Sequence, residues 1–231
     1  MQNRKLFALL WRINAVVILL VGLAAVAVLG VAAYVFFKDA TRTRYVDNVA
    51  NTALDDVRES TAELGSFEQI PGSTMLRAPI TVHQSYAMGP GYKEAGSVRN
   101  YLYVEPTTRS AHWLRPSMNG LILSSTALPS AGRGERERDA VVYVHVTVEK
   151  DTNGDERLTE SDAKQIAVSA PDGKGYRVLV DKADRLNEAT LLPDGQLLVL
   201  YSTGAKLTAV ELHPANLALP VATYEVNTSL R

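Results

Sequence analysis

The sequence predicts a mainly β domain carried on one N-terminal transmembrane helix. Three observations predict this class: an uncharged apolar run near the N-terminus, short alternating strands after residue 72, and glycine-containing turns between them. The 231 residues are 46% hydrophobic and 21% charged, which is typical of a folded chain rather than a disordered one. We therefore expect four regions, 1–14, 15–37, 38–71 and 72–231.

The apolar run covers residues 15–37, AVVILLVGLAAVAVLGVAAYVFF, without a single charge. As a helix it spans roughly 34 Å, enough to cross a hydrocarbon core of about 30 Å. A cleaved signal peptide is the alternative, but its apolar region is usually about 7–15 residues long and ends in small residues. This run is longer and ends in the bulky stretch 34–37, so we expect an uncleaved anchor in a lipid bilayer.

The charges that flank the run predict its orientation. Arg4, Lys5 and Arg12 precede it, and no acidic residue does. Because basic residues next to a membrane helix resist translocation, we expect residues 1–14 to form a cytoplasmic basic head. Residues 38–231 are then expected on the extracytoplasmic side, in the periplasm of a bacterial cell whose inner membrane holds the helix.

Composition excludes several classes of function. The residues outside the basic head hold 21 basic side chains against 25 acidic ones, a net charge of −4. Binding to a nucleic-acid backbone needs a concentrated basic surface, so we expect no nucleic-acid partner. The chain has no cysteine, which excludes disulfides, thiolate metal sites and a cysteine nucleophile.

The region 38–71 is predicted to be a stalk that contains a short juxtamembrane helix. Within residues 47–64 the apolar side chains recur at positions 49, 53 and 57 and at 50 and 54, which is the spacing of one helix face. Gly65 follows as a plausible end of that helix.

Beyond residue 72, alternation and turn residues predict antiparallel hairpins. Strands are expected at 79–86 and 120–128, in a hairpin over 100–116, at 140–149, and in two further hairpins at 165–180 and 188–212. The highly charged segment 131–139, AGRGERERD, is expected to be a solvated loop.

Two turns share the sequence Pro-Asp-Gly, at 171–173 and at 193–195. Asp-Gly pairs tolerate the positive φ angles of tight hairpin turns. The hairpins around them resemble single blades of TolB-like or WD40-like β-propellers, although no family is recognised over the whole chain. A propeller needs at least four blades of about 40 residues, and roughly 140 residues remain. We therefore expect an open sandwich or partial propeller-like array of two or three sheets.

One segment carries a chemical motif, the loop DTNGDERLTESD that follows the strand at 140–149. Its candidate calcium ligands, at loop positions 1, 3, 5, 7, 9 and 12, are Asp151, Asn153, Asp155, the carbonyl of Arg157, Thr159 and Asp162. The loop resembles an EF-hand calcium loop, and Asp at position 12 makes it similar to the dockerin variant. The resemblance implies a structural Ca²⁺ ion. Glu156 departs from it, because glycine normally makes the sharp turn at position 6, and so does the strand that enters the loop.

The sequence lacks Gly-x-Ser-x-Gly, His-Glu-x-x-His and a phosphate-binding glycine loop. The four histidines are scattered, and we expect each to be an ordinary sheet residue. We therefore expect a non-enzymatic accessory or scaffold protein of a cell-envelope membrane complex, with other membrane subunits as partners. The alternative is an envelope enzyme or ligand-binding sensor whose site is assembled from scattered residues.

Overall fold

The computed structural model describes residues 2–40, 44–47, 49–52, 59–88, 91–130 and 138–227. The chain divides into two units, one formed by Met1–Arg44 with Ala87–Tyr92 and the other by Tyr45–Tyr86 with Lys93–Arg231. The first unit contains the helix and the second contains most of the strands. Each is described by itself.

The helix, α1 (Gln2–Ala40), is 39 residues long. It contains the segment Leu10–Phe37, which is long and apolar enough to cross a membrane. The large apolar side chains of this segment are exposed on every side, with Leu29 68% and Phe36 73% accessible. The predicted N-terminal apolar helix is therefore confirmed, and it extends beyond 15–37 in both directions.

Sixteen strands lie in the described part of the chain. They are β1 (Arg44–Asp47), β2 (Ala50–Asn51), β3 (Glu59–Leu64), β4 (Glu68–Gln69), β5 (Leu76–Met88), β6 (Gly91–Glu105), β7 (Ser110–Trp113), β8 (Leu121–Leu128), β9 (Val142–Val148), β10 (Arg157–Leu158), β11 (Lys164–Ser169), β12 (Arg177–Ala183), β13 (Arg185–Leu191), β14 (Leu197–Thr203), β15 (Lys206–His213) and β16 (Asn216–Val226).

These strands form three larger sheets and one ribbon. The N-terminal sheet has the order β1-β6-β5-β3, with β4 paired to β5 and β7 to β6. The central sheet has the order β12-β11-β9-β8, the C-terminal sheet has the order β13-β14-β15-β16, and β2 pairs with β10 in the ribbon. The described pairings are antiparallel. The predicted mainly β, antiparallel class is thus confirmed.

Two cores hold the three sheets together. The first core lies between the central and C-terminal sheets and is aliphatic; its buried members are Leu128, Val142, Val144, Ile166, Val168, Val180, Ala183, Leu197, Val199, Val210 and Leu212. The second core lies between the N-terminal and central sheets; its buried members are Ile70, Met75, Tyr103, Leu114, Ile122 and Tyr143. Burial of these side chains is the main favourable term in folding.

Strand β9 contributes to both cores. Successive side chains of a strand point to opposite faces, so Val142 and Val144 enter the first core while Tyr143 enters the second. All seven residues of β9 are buried. The valines alternate with Tyr143, His145 and Thr147, a pattern that by itself suits one buried and one exposed face. In the structure both faces are buried.

Most predicted strands are present. The hairpin at 100–116 is β6 and β7, the hairpin at 165–180 is β11 and β12, and the segment 188–212 falls in β13, β14 and β15. The charged loop predicted at 131–139 lies largely outside the described residues. The likeness to propeller blades stays a prediction.

The juxtamembrane helix predicted within 47–64 is absent from the described residues of this segment, which lie in or next to β1, β2 and β3. Residues 53–58 of the prediction lie outside the described residues. Two tertiary contacts explain the difference. Ala50 pairs with Leu158 and is completely buried, and Glu59–Leu64 pairs along β5. The stalk predicted over 38–71 therefore contributes strands to the sheets, because burial and pairing outweigh a weak helical spacing.

The two Pro-Asp-Gly turns have the same local structure. Asp172 accepts a hydrogen bond from the Lys174 N–H at 3.1 Å, and Asp194 accepts one from the Gln196 N–H at 3.0 Å. Gly173 and Gly195 have φ angles of 80° and 82°. Their surroundings differ, because a Cβ at Gly173 would lie 2.6 Å from the ring of Tyr103, whereas one at Gly195 would meet nothing within 4 Å.

We predict that Gly173→Ala destabilises the protein more than Gly195→Ala. Both substitutions place alanine at a positive φ angle, which costs about 1–2 kcal/mol, but only the first also clashes with a buried ring, which adds about 1–3 kcal/mol. Denaturant unfolding of the detergent-solubilised full chain measures both free energies of unfolding. Equal losses for the two variants would contradict the packing of this turn against Tyr103.

Candidate functional site

The candidate calcium loop, residues 151–162, connects β9 to β11 in the central sheet. It leaves the sheet after β9 and returns at Lys164, so both of its ends are held by one rigid sheet. Its middle, Arg157–Leu158, is strand β10, which pairs with β2. The loop therefore links the central sheet to the chain segment that follows the helix in sequence.

Three oxygen-bearing side chains at alternate positions shape the first half of the loop. Asp151 accepts hydrogen bonds from the backbone N–H groups of Gly154 at 2.7 Å and Glu156 at 2.8 Å. Asn153 accepts from the Asp155 N–H at 2.9 Å, and Asp155 accepts from the Arg157 N–H at 3.0 Å. Consecutive turns of this kind are what Asp and Asn side chains stabilise, and they wind the chain around the side chain of Asp151.

The sharp turn expected at loop position 6 is present even though glycine is not. Glu156 has a φ angle of 60° and Gly154 one of 79°. Left-handed backbone costs a residue with a Cβ about 1–2 kcal/mol. The hydrogen bond from the Glu156 N–H to Asp151, and that from the Thr52 N–H to the Glu156 carbonyl at 2.8 Å, hold the strained residue in place.

Leu158 anchors the loop to the domain. It pairs with Ala50, and both pack in a small buried cluster with Leu121 and Val148. Arg157 is paired with Asn51 in the same ribbon. The apolar residue at loop position 8 therefore attaches the loop to a strand of the segment that follows the helix.

Asp162 closes the loop from the inside. It is 1% exposed, and its Oδ1 accepts from the Thr152 N–H at 2.7 Å and the Thr152 hydroxyl at 3.1 Å. Its Oδ2 accepts from the Thr159 N–H at 2.9 Å. Burial by itself raises the pKa of Asp162, but these hydrogen bonds together bring that pKa below its ordinary value. Asp162 is therefore a carboxylate that joins loop positions 2 and 9.

The donor set fits calcium in type, since carboxylate, amide and carbonyl oxygens are the ligands that Ca²⁺ prefers. The arrangement fits less completely. Asp151 and Asp162 point their oxygens at backbone N–H groups. Over the ranges that the structure describes, no group of three or more His, Cys, Asp or Glu side chains is placed to hold a metal ion. Calcium binding at Asp151, Asn153, Asp155, Arg157, Thr159 and Asp162 stays a prediction.

A second cluster, which the sequence does not predict, lies between the N-terminal and central sheets. We call it the polar layer; its members are Arg77, Arg99, Tyr101, Tyr103, Arg115, Tyr143, His145, Thr147 and Tyr176. The three arginines are each less than 10% exposed. One feature of the sequence could have indicated this cluster. Arg99, Tyr101 and Tyr103 occupy every second position of one strand, which places them on one face.

Arg77 joins the two sheets at one end of the polar layer. Its Nε donates to Glu68 at 2.5 Å and its Nη1 to the hydroxyl of Ser125 at 3.0 Å. Its guanidinium lies 4.3 Å from the ring centroid of Tyr143 and 5.0 Å from that of Tyr101. Stacking of a buried guanidinium on aromatic faces offsets part of its lost hydration.

Arg115 and Arg99 lie at the other end. Arg115 donates to Glu149 and, through Nη2, to the Arg99 carbonyl at 2.6 Å. Arg99 donates to the hydroxyl of Ser97 at 2.8 Å and to the Asn119 carbonyl at 3.1 Å. Burial, together with the nearby Arg115 charge, lowers the pKa of Arg99 to about 10, so the group still carries its charge at neutral pH.

His145 lies in the middle of the polar layer and is completely buried. Its ring is 6.1 Å from that of Tyr143 and 5.6 Å from that of Tyr176. Burial lowers its pKa to about 3, and the charges of Arg77 and Arg115 act in the same direction. The imidazole is therefore neutral throughout the physiological range.

The other histidines occupy separate positions. His112 shares a hydrogen bond of 2.8 Å with the Asp172 carbonyl and stacks on Tyr103 at 5.6 Å, so it fixes the turn that Gly173 makes. His83 lies 3.8 Å from Glu63, and His213 is exposed at the end of β15. The expectation that the chain is not an enzyme stays a prediction.

Comparison with known proteins adds no relative. No family model matches the chain, and no curated protein and no solved structure matches it significantly.

We predict that His145 makes the protein less stable as the pH falls below about 6.5, the ordinary histidine pKa. Between that value and about 3, the unfolded chain binds a proton that the folded chain does not. The free energy of unfolding therefore decreases by up to about 1.4 kcal/mol per pH unit.

Denaturant unfolding of wild type, His145→Gln and the exposed control His213→Gln from pH 7 to pH 5 measures this decrease. The slope should be shallower in His145→Gln and unchanged in His213→Gln. An identical slope in all three proteins would show that His145 is protonated equally in both states.

Proposed function

We propose that the protein is a single-pass accessory or scaffold protein of a cell-envelope membrane complex. In this proposal the helix lies in the bacterial inner membrane with its basic head in the cytoplasm, and the β domain binds a partner subunit in the periplasm. The observation that carries the proposal is the outer face of the C-terminal sheet, where Leu198, Leu200 and Tyr224 are partly exposed in the same rows as Glu188 and Glu211.

That face is defined by the register of the C-terminal sheet. Leu198 and Leu200 alternate with Leu197 and Val199, which are completely buried in the first core. They therefore point to the opposite face, and both are only partly buried. Among the described residues, no other sheet packs against this side through the buried cores.

The outer face continues across neighbouring strands. Leu200 pairs with Glu188 and Ala209, and Ala209 pairs with Tyr224, so these residues lie in one row of the outer face. Ala209 itself is 0% exposed, whereas Tyr224 is 47% exposed and donates a hydrogen bond to Glu211 at 2.8 Å.

A partly exposed face that mixes leucine, tyrosine and glutamate has the composition of a non-obligate protein interface, which is about as apolar as the rest of a protein surface and enriched in tyrosine. The exposed apolar side chains of Leu10–Phe37 support the anchor, because they need a lipid environment or other membrane helices. A membrane-held domain with such a face suits a subunit that positions a partner.

We also propose that the loop at 151–162 binds a structural Ca²⁺ ion through the oxygens of Asp151, Asn153 and Asp155, with the Arg157 carbonyl. The spacing of these residues is that of a calcium loop, and the left-handed φ of Glu156 supplies the turn that the pattern requires. When bound, the ion would offset repulsion among the acids. Asp162 acts as an internal brace, the carboxylate that accepts hydrogen bonds from Thr152 and Thr159.

We predict that the outer face of the C-terminal sheet holds the partner. The full chain, purified in mild detergent from its native membranes after cross-linking, should retain a stoichiometric membrane subunit. Leu200→Glu should lose that subunit, because a carboxylate cannot be buried unpaired in an apolar contact, whereas Lys182→Glu, at an exposed position on the central sheet, should keep it. A monomer with no retained subunit, or equal retention by both variants, counts against the proposal.

We predict that calcium raises the melting temperature of the full chain in detergent relative to excess chelator, since a ligand that binds only the folded state stabilises it by mass action, about 2.7 kcal/mol at one hundred times its Kd. Asp151→Asn should abolish the increase. Asp194→Asn, which alters a comparable turn outside the loop, should retain it.

Asp162→Ala separates the two roles within the loop. It should lower the melting temperature with chelator as well as with calcium, because it leaves the N–H groups of Thr152 and Thr159 without their acceptor. Identical melting of wild type in calcium and in chelator would remove the calcium claim while leaving the brace intact.

A further inference from the structure

The polar layer contains buried side-chain atoms that have no hydrogen-bond partner among the described residues. These atoms include the Tyr103 hydroxyl, Nδ1 of His145 and Oγ1 of Thr147, and the three residues are each 0% exposed. His145 and Thr147 are two positions apart on β9, so their side chains lie on the same face. A buried polar atom without a partner costs about 1–3 kcal/mol, and three in one layer call for an explanation.

The hydrogen bonds around His145 determine its tautomer. Its Nε2 lies 3.0 Å from the hydroxyl of Ser169. That hydroxyl donates its single proton to the Ala170 carbonyl at 3.1 Å, because a carbonyl can only accept. The Ser169 oxygen must therefore accept from His145, which places the imidazole proton on Nε2. Nδ1 is left as a bare acceptor that needs a donor.

Few nearby groups can donate to Nδ1. The described hydrogen bonds of the Arg77 guanidinium go to Glu68 and Ser125, those of Arg115 to Glu149 and the Arg99 carbonyl, and no described group donates to Nδ1 of His145. Backbone N–H groups of β9 are taken up by its pairing with β8 and β11. The buried arginines could attract an anion, but an anion without a proton cannot donate a hydrogen bond to Nδ1 of His145.

Tyr176 closes the site from the side opposite β9. Its ring lies 5.6 Å from that of His145, and burial raises the pKa of its phenol, an effect that the nearby Arg115 and Thr147 partly offset. Oγ1 of Thr147 has no hydrogen bond of normal geometry to any described group, although the phenol of Tyr176 lies near enough for the two side chains to interact. A buried hydroxyl and a buried imidazole nitrogen that both lack a partner on one strand face are groups that one water molecule can join.

We propose that a buried water molecule binds between His145 and Thr147 in the polar layer. It donates one proton to Nδ1 of His145 and accepts the proton of the Thr147 hydroxyl, with the phenol of Tyr176 as a third neighbour. Buried waters typically make about three hydrogen bonds to groups of this kind. The site is independent of the calcium loop and of the outer face of the C-terminal sheet.

With this water bound, the polar layer differs from the first core in being hydrated. The aliphatic first core excludes water, whereas the contact between the N-terminal and central sheets is held by a hydrated network of arginine, tyrosine and histidine. Such a network requires every member to be satisfied. The water therefore belongs to the folded structure, where it satisfies polar groups on the buried face of β9.

Thr147→Val tests the bridge, because it removes the hydroxyl and keeps the shape. If the water is bound, the variant should lower the folding equilibrium constant of the full chain in detergent by roughly three- to tenfold. In the background of His145→Leu the same change should have little effect, since the acceptor is already gone. Thr147→Ser, which keeps the hydroxyl, should preserve the coupling to His145.

A different result would contradict the bridge. If Thr147→Val raises the folding equilibrium constant equally in the wild-type and His145→Leu backgrounds, the Thr147 hydroxyl is an isolated unpaired group and no water joins it to His145.

A spectroscopic measurement on the wild-type full chain does not depend on any variant folding. Long-range ¹H–¹⁵N correlation with ¹⁵N-labelled histidine should show His145 protonated at Nε2 only, and water-selective cross-relaxation should connect a long-lived water to its ring protons. Protonation at Nδ1, or no long-lived water at this ring, overturns the proposal.

Discussion

Strand β9 is covered on both faces, and the rest of the domain is arranged around that constraint. One face carries valines that pack in an aliphatic core with the C-terminal sheet. The other carries Tyr143, His145 and Thr147 against the N-terminal sheet. The two faces need different partners, because apolar side chains require only contact whereas buried polar side chains require hydrogen bonds. Three sheets rather than two are the consequence.

The polar layer explains why the contact between the N-terminal and central sheets is specific. Arg77 donates to Glu68 of its own sheet and to Ser125 of the next, and it stacks on Tyr143. Such contacts depend on angle and distance, so a shift of one residue would leave charges buried without partners. Buried ion pairs add little net stability compared with apolar packing. Their effect here is to select one register.

The loop at 151–162 connects β9 to the segment that follows the helix in sequence. It starts at the end of β9, winds around the side chain of Asp151, and presents Leu158 to Ala50. The pairing places two residues of that segment on the domain only ten positions after α1 ends at Ala40. Whatever strengthens the loop, whether hydrogen bonds to Asp162 or a bound cation, also strengthens this attachment.

The sequence by itself determined the features that depend on local pattern. Residues 15–37 are apolar over more than a bilayer thickness, the hairpins follow alternation and Asp-Gly turns, and the side chains at 151, 153 and 155 repeat at the spacing of a turn. The helix predicted within 47–64 is absent from the described residues of that segment, because Ala50 and Glu59–Leu64 are extended by pairing with distant strands. A helical spacing of five small or apolar residues is too weak a signal to outweigh those contacts.

Only the tertiary structure decided what covers each sheet face. His145 and Thr147 have the sequence context of an exposed strand face, yet they lie in a buried layer with Arg77 and Arg115. Glu156 adopts a glycine-like φ because Asp151 and Thr52 hold its backbone. Local pattern specifies which side chains share a face of a strand. The surface that this face meets depends on contacts between residues far apart in the chain. Those contacts decide whether a polar side chain remains in water or needs a buried partner.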